Sequence, residues 1–112
     1  MTLQTLCEKL GLEKIIFDHD TEISGVYVGD FLSRAMSRVG ADNVWVTIMA
    51  NTNVVAVASL TDAACILLAE GVQLPEEALS AARENSINVL SSDDSAYDLC
   101  LALSAALNGG EQ

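Results

Sequence analysis

The chain has 112 residues, of which 51% are hydrophobic, and sixteen acidic residues against five basic ones give a net charge of −11 at pH 7. That length and apolar content predict one domain with a layered core. A surface this acidic repels phosphate groups, so we expect no nucleic-acid partner and no membrane partner. Aromatic residues make up only 4% of the chain, and an apolar fraction rich in Ala, Val, Leu and Ile is typical of a parallel sheet covered by helices.

The three cysteines, Cys7, Cys65 and Cys100, are far apart and lie in apolar runs without a CxxC pair. This pattern predicts small buried side chains with free thiols, and it indicates neither a zinc site nor an iron–sulfur cluster. Free thiols are typical of a reducing compartment, so we expect a cytoplasmic protein without a cofactor. The start of the chain predicts an amphipathic helix of mixed charge rather than a signal peptide, and the longest apolar runs are too short to cross a bilayer.

The first part of the chain alternates between helical and extended patterns. Leucines three or four residues apart, followed by Gly11, predict a first helix that Thr2 caps. The predicted segments are this helix over 3–10, a short buried strand over 14–17, an extended piece over 23–29, and a helix that Asp30 caps and Gly40 ends.

The second part predicts three more strands, each followed by a helix. Residues 44–49 are β-branched and aromatic, the strongest strand pattern in the chain. Such alternation predicts a mostly parallel sheet with right-handed crossovers, and therefore a three-layer α/β/α sandwich. The remaining segments are a helix over 54–60, a buried strand over 63–69, a helix with Pro75 at its first position, a strand over 87–90, a final helix capped by Ser91 or Ser92, and a frayed tail over 108–112.

Three polar loops follow the predicted strands, at 51–53, 70–73 and 91–94. In an open parallel sheet, ligands bind beyond the carboxyl ends of the strands, so we predict a binding site there. The turn at 51–53 has a second interpretation, because Asn and Thr are also good helix caps. The candidate ligand-binding residues are Asn51, Thr52, Asn53, Thr61, Asp62, Gly71, Ser91 and Ser92.

No catalytic pattern is present in the sequence. There is no GxGxxG, no phosphate-binding GxxxxGK[ST], no GxSxG, and no lysine after Lys14. His19 lies between Asp18 and Asp20, but neighbouring side chains on an extended chain point in opposite directions, which favours a solvated loop over a metal site. We therefore predict no enzymatic activity and no metal.

Two surface features have open alternatives. Arg34 and Arg38 are one helical turn apart, and they hold a phosphate, keep the surface soluble or pair with nearby carboxylates. Trp45 faces away from its neighbours on the predicted strand, so it lies either over a helix or in a subunit contact. The helix that follows is apolar nearly all round, which makes Trp45, Val54, Val55 and Val57 candidates for a dimer interface.

The residues from 25 to 107 resemble the DRTGG domain family, which is related to the N-terminal domain of HPr kinase/phosphorylase. The likeness is carried by GVYVGDFLSRAM, VWVTIMANTNVVAVASLTDAACILLAEG, LPEEALSAARENSINVLSS and SAYDLCLAL. It implies an α/β/α domain that dimerises and serves as a regulatory module. The family is named after an Asp-Arg-Thr-Gly-Gly string, which this chain lacks. The segment at its fourth predicted strand reads Leu68-Ala69-Glu70-Gly71 instead.

The resemblance also implies a partner, because similar proteins are often encoded beside redox-sensing kinase or hydrogenase components. Together, residues and resemblance predict a non-catalytic, homodimeric regulatory domain that acts through protein contacts or by sensing a small molecule at the strand-end loops. The alternative is a nucleotide- or metabolite-binding module, or an enzyme, that uses the turn at 51–53 and the loop at 91–94.

Overall fold

Apolar, β-branched segments form the middle of a five-stranded sheet in the computed structural model, which describes residues 1–108. Helices cover both faces of this sheet, so the predicted three-layer α/β/α architecture is confirmed. In chain order, the elements are α1 (Leu3–Leu10), β1 (Glu13–Ile16), β2 (Gly25–Val28), α2 (Leu32–Arg38), β3 (Asn43–Thr47), α3 (Thr52–Thr61), β4 (Cys65–Leu68), α4 (Glu76–Glu84), β5 (Val89–Ser91) and α5 (Ala96–Asn108).

The strand order is β1-β5-β4-β3-β2, and the four strands from β2 to β5 are parallel. Each of these strands is added on the same side of the one before it. Because crossovers between parallel strands are right-handed, α2, α3 and α4 must all lie on one face. The other face is left to α1 and α5. The antiparallel strand β1 closes the far side of the sheet against β5.

The central strands β3 and β4 are buried on both faces, which explains why their sequences are nearly continuous apolar runs. Trp45 and Ile66, which are paired in register, point toward α2, α3 and α4. Val46 and Leu67 point toward α1 and α5. The core therefore has two halves, one on each face of the sheet.

Helix ends follow the predicted chemistry in most places. The Thr2 side chain accepts a hydrogen bond from the Thr5 backbone N–H, and Gly11 ends α1 with a left-handed φ of 65°. The side chain of Asn51 caps α3 by accepting from the Val54 N–H at 3.2 Å, as the cap interpretation of this turn predicted. Pro75, predicted as the first residue of its helix, is instead the N-cap of α4, one position earlier, where the N–H that it lacks is also not needed.

Several predictions about local structure are wrong. The strand predicted as buried is the exposed edge strand β1, because only β5 flanks it. Asp30 does not cap α2, whose first turn has no side-chain cap. Ser95 caps α5 by accepting from the Asp98 N–H at 3.1 Å, in place of Ser91 or Ser92. Asn108, predicted as the start of a frayed tail, is the last residue of α5, and the rest of that tail lies outside the described residues.

The loop over 17–24, here called the crossing loop, carries the chain from β1 under the sheet to β2. Asn88, which is 1% exposed, holds it in place. Its side-chain oxygen accepts from the backbone N–H of Asp18 at 2.6 Å and of His19 at 3.3 Å. Its side-chain nitrogen donates to the carbonyl of His19 at 2.8 Å and of Ala64 at 3.0 Å. One buried amide thus joins three segments at the amino-terminal edge of the parallel strands.

Farther along, the Thr21 hydroxyl donates to the Asp42 carboxylate at 2.8 Å, just before β3. The backbone of the crossing loop also bonds to the start of the chain, because the Leu3 N–H donates to the carbonyl of Thr21. Among residues 1–108, no helix is long and apolar enough to cross a membrane.

We expect Asn88→Ala to lower the free energy of unfolding by about 2–4 kcal/mol, because it leaves partly buried backbone groups of the crossing loop and the buried carbonyl of Ala64 without partners. Urea titration measures the change. Asn85→Ala is the control, because its side chain makes one hydrogen bond at an exposed helix end, and its loss should cost no more than about 1 kcal/mol. Equal losses in the two variants would contradict this role for Asn88.

Candidate functional site

The loops after β4 and β5 are joined by their backbones at the carboxyl edge of the parallel strands. The Glu70 N–H donates to the Asp94 carbonyl at 2.8 Å, and the Gly71 N–H donates to the Ser92 carbonyl at 2.9 Å. Glu70 and Gly71 both have left-handed φ angles, 59° and 69°. The structure thus brings Gly71, Ser91 and Ser92 together, as the position of the predicted site requires.

The turn after β3 is the third predicted loop of this edge. The side chain of Asn51 is used as the cap of α3, whereas the side chains of Thr52 and Asn53 are exposed in its first turn. Thr52 and Asn53 are therefore accessible to a ligand from solvent.

The structure places Thr61 and Asp62 at the opposite edge of the sheet, away from the other candidates. Helix α3 runs antiparallel to the strands, so its end lies near the beginnings of β3 and β4. The Thr61 hydroxyl donates to the carbonyl of Val57 at 2.8 Å. Asp62 ends the helix with a φ of 57°, and its carbonyl accepts from the Asp42 N–H at 2.8 Å. Both residues have structural roles at the end of α3, and they do not join the predicted site.

Asp30 is a residue of the carboxyl edge that the sequence did not single out as part of a site. Its carboxylate accepts from the Thr47 hydroxyl at 2.6 Å and from the Ile48 N–H at 2.9 Å. It therefore links the end of β2 to the end of β3. A signal was present in the sequence, because an Asp directly after a strand can bond the backbone of a neighbouring loop as readily as it caps a helix.

Two cavities open along the carboxyl edge. The smaller, about 130 Å³, lies between Asp30, Thr47 and Glu70. The larger, about 260 Å³, lies under the loop after β4, between β1 and α4, and Ser91 is one of its lining residues. Of the predicted ligand-binding residues, only Ser91 lines either of these cavities.

Negative charge dominates the carboxyl edge. Asp30, Glu70, Asp93 and Asp94 are all exposed there, and neither of the two cavities is lined by a Lys or an Arg. A polyanion would therefore meet repulsion at this edge, whereas a neutral or cationic molecule would not.

The remaining titratable candidates lie elsewhere. Arg34 and Arg38 are exposed on α2 and form no ion pair within residues 1–108. His19 is in the crossing loop, with its ring 2.9 Å from the Asp18 carboxylate. Within the described part of the chain, no group of three or more His, Cys, Asp or Glu is placed to hold a metal ion.

The cysteines have free thiols. Cys7 and Cys65 are buried, and Cys100 is half-buried. Burial raises the pKa of the Cys7 thiol and, far more, that of Cys65, because a thiolate loses its hydration in the core. Neither of these two buried thiols is suited to act as a nucleophile at neutral pH.

The four residues predicted for a dimer interface belong to the core of one protomer. Trp45 and Val54 are 0% exposed, Val55 is 1% and Val57 is 5%. The Trp45 ring packs against the helices of its face, and its Nε1–H donates to the Gly29 carbonyl at 2.9 Å. These residues have no surface to offer a second copy, so an interface must use other parts of the chain.

These elements define a DRTGG-like α/β fold. The structure is similar to that of the CBS and DRTGG domains of the regulatory region of Clostridium perfringens pyrophosphatase, solved in complex with its activator, diadenosine tetraphosphate. The two superpose with a TM-score of 0.69 and 12% sequence identity, over 86% of this chain and 43% of that one. No family model matches the chain, and no curated protein matches it at a significant level. The predicted DRTGG-like fold is confirmed, and the chain spans less than half of the structure that it matches.

Replacement of Gly71 by alanine tests the joined loops. We expect Gly71→Ala to lower the free energy of unfolding by about 1–2 kcal/mol, because a Cβ disfavours the left-handed conformation. The added Cβ would also lie 3.0 Å from the Asp93 carboxylate. Gly40→Ala is the control, because a Cβ there meets only ordinary contacts, the nearest at 3.5 Å. Urea titration of both variants gives the comparison, and an undisturbed Gly71→Ala would show that the loop conformation is not needed for stability.

Proposed function

We propose that the protein is a non-catalytic regulatory domain that senses a small molecule at the loops of the carboxyl edge and acts through protein contacts. The observation that carries this proposal is the fold itself, since the pyrophosphatase region with a similar fold is a regulatory one and was solved with an activator bound. The position of the two cavities beyond the strand ends, where open parallel sheets bind ligands, also supports it.

The hydrogen bonds between the loops after β4 and β5 can couple ligand binding to partner binding. A molecule that contacts the loop after β4 also influences the loop after β5, because Gly71 is bonded to Ser92 and Glu70 to Asp94. By linkage, a ligand that favours one arrangement of these loops favours any partner that binds the same arrangement. We propose a cytoplasmic partner protein in a redox or hydrogenase-linked system, on the basis of the family resemblance.

The alternative function is a nucleotide- or metabolite-binding module, or an enzyme, with Asn53 and the loop at 91–94 as polar contacts. The exposed side chains of Thr52 and Asn53 favour it, because they lie at the start of α3, where backbone N–H groups can receive an anion. The acidic residues along the same edge argue against a polyphosphate.

A thermal-shift screen distinguishes these functions. The panel contains diadenosine tetraphosphate, mononucleotides, and neutral and cationic metabolites. A ligand at 100 times its Kd should raise Tm by roughly 10 °C, because it stabilises only the folded chain. We expect the hits among neutral or cationic compounds.

Two variants locate any binding site that the screen reveals. A shift that disappears in Asn53→Ala but persists in Asn85→Ala, at the far end of α4, would place the ligand at the start of α3 and favour the alternative function. A panel without any stabilising compound would contradict ligand sensing.

We further propose that the domain forms a homodimer through β2 and α5. A groove of about 490 Å³ separates these elements. Val26 and Val28 face it and remain 37% and 44% exposed, because α5 does not reach across the edge strand. Its other lining residues are Met1, Ile23, Ser24, Gly25, Cys100, Leu103, Ser104, Leu107 and Asn108.

Charge and hydrogen bonding both favour a second copy as the occupant of this groove. None of the lining side chains is charged, so two copies of a chain with a net charge of −11 meet least repulsion there. The Gly29 N–H bonds to Val46 of β3, and the alternation of a strand then leaves the N–H and C=O groups of Val26 and Val28 pointing outward. Antiparallel pairing of two β2 strands about a two-fold axis would satisfy these groups.

Val28→Lys should convert this dimer to a monomer, because a charge in the apolar groove is buried without a partner. Sedimentation velocity at micromolar concentration measures the state. Leu60→Lys is the matched control: Leu60 is 71% exposed on α3, outside the groove, and its variant should remain dimeric. A wild-type chain that sediments only as a monomer would contradict the proposal.

A further inference from the structure

The cavity of about 260 Å³ under the loop after β4 is lined by six apolar and three polar residues. Its size is a little below the ~300 Å³ lower limit of drug-sized sites, which suits a single ring with a short chain. The apolar lining residues are Ile15, Leu68, Val72, Leu74, Leu79 and Val89, and the polar ones are Glu13, Gln73 and Ser91.

Ser91 contributes a free hydrogen-bonding group to this cavity. The residue is 92% buried, with 8% of its surface exposed, and yet its hydroxyl has no hydrogen bond to any residue of the described part of the chain. Every side-chain oxygen and nitrogen that is sealed from solvent within residues 1–108 has a partner. The hydroxyl of Ser91 is therefore reachable, and the space that reaches it is the cavity that Ser91 lines. A nearly buried hydroxyl without a partner gains a hydrogen bond when a ligand with a polar end enters.

Glu13 lies next to this hydroxyl. It is directly opposite Ser91 in the antiparallel pairing of β1 with β5, so both side chains project from the same face, with Cβ atoms about 5 Å apart. Glu13 is the one charged residue that lines the cavity, and it forms no ion pair with any residue in the range 1–108. Glu13 and Ser91 therefore form a polar end of the cavity, where a carboxylate lies beside a hydroxyl that can accept a hydrogen bond.

From this arrangement we infer that the cavity binds a small protonated primary amine with an apolar body. This inference rests on the proposed ligand-sensing function and names its ligand class. The ammonium group donates to the Glu13 carboxylate and the Ser91 hydroxyl, which are acceptors at one end of the site. The hydrocarbon body lies among Leu68, Leu79 and Val89, where it leaves water. The negative field of the whole chain raises the local concentration of cations, and it opposes carboxylates and phosphates.

Calorimetric titration with phenethylamine and with its neutral analogue, 2-phenylethanol, tests this assignment. Wild-type protein should bind the amine more tightly than the alcohol. Glu13→Gln should weaken amine binding about tenfold, because the charge-assisted hydrogen bond is lost, and should leave alcohol binding nearly unchanged. Ser91→Ala should weaken both probes severalfold, since both donate to its hydroxyl.

Glu84→Gln is the matched control, because it removes the same charge from the exposed far end of α4. It should leave amine binding within about twofold of wild type. The comparison distinguishes a direct contact between Glu13 and the ammonium group from the general attraction by the net negative charge of the chain. Urea titration of each variant confirms that it is folded. The inference is overturned if the amine binds no better than the alcohol, if it does not bind, or if Glu13→Gln and Glu84→Gln weaken it equally.

The two proposals fail separately. If the thermal-shift panel yields a ligand whose binding is insensitive to Glu13→Gln and Ser91→Ala, then sensing stands and the amine site is wrong. If neither the panel nor the two probes bind, then both proposals are wrong.

Discussion

The architecture depends on how the chain passes under its own sheet between β1 and β2. A loop that crosses the ends of buried strands carries backbone groups that water cannot fully reach, so each must find a partner in the protein. The buried side chain of Asn88 makes three of these hydrogen bonds, with the backbone of Asp18 and His19, and a fourth with the carbonyl of Ala64. The Asp42 carboxylate also accepts a hydrogen bond from the Thr21 hydroxyl. These hydrogen bonds hold the crossing loop across the ends of the parallel strands. Strand β1 can therefore lie beside β5, while β2, β3, β4 and β5 lie next to one another in the sheet in the order of the chain.

The amino-terminal and carboxyl edges of the sheet differ in how their polar groups are used. At the amino-terminal edge, polar side chains such as Asn88 and Asp42 are used in hydrogen bonds between segments of the chain. At the carboxyl edge, the backbones of the loops bond to one another. The side chains of Asp30 and Asn51 also form hydrogen bonds there, whereas those of Ser91 and Asn53 form none within residues 1–108. The proposal of a ligand site at the second edge rests on the two cavities there and on the nearly buried hydroxyl of Ser91, which has no hydrogen-bond partner among residues 1–108.

Much of the fold was predictable from the sequence, because the strands buried on both faces leave a strong signal. The β-branched run in β3 and the apolar run in β4 identified the centre of the sheet, and Asn51 was correctly predicted as a helix cap. The edge strand was harder. The apolar pattern of Ile15 and Ile16 resembles that of a buried strand, and nothing local to β1 shows that it pairs antiparallel with a strand from the other end of the chain.

The candidate site was predictable only in part, because the sequence does not show the long-range pairing of β1 with β5. Gly71 and Ser92 follow strands, and Ser91 ends one, so their common edge could be inferred from the order of elements. Glu13 could not be included, since its place beside Ser91 depends on the long-range pairing of β1. The prediction of Thr61 and Asp62 as site residues is wrong because they end helix α3, and a helix that packs on a parallel sheet ends at the edge opposite to the carboxyl ends of the strands.

The pairing of β1 with β5 also has a consequence for the order of folding. Strands β2 to β5 can assemble stepwise, since each neighbour in the sheet is also the next strand in the chain. Strand β1 must wait for β5, and closing so long a loop costs entropy that is recovered only once the contact forms. Of the five strands of this sheet, β1 is the first along the chain and the last that can pair. Until it does so, the flank of β5 is an open edge that another chain can pair with.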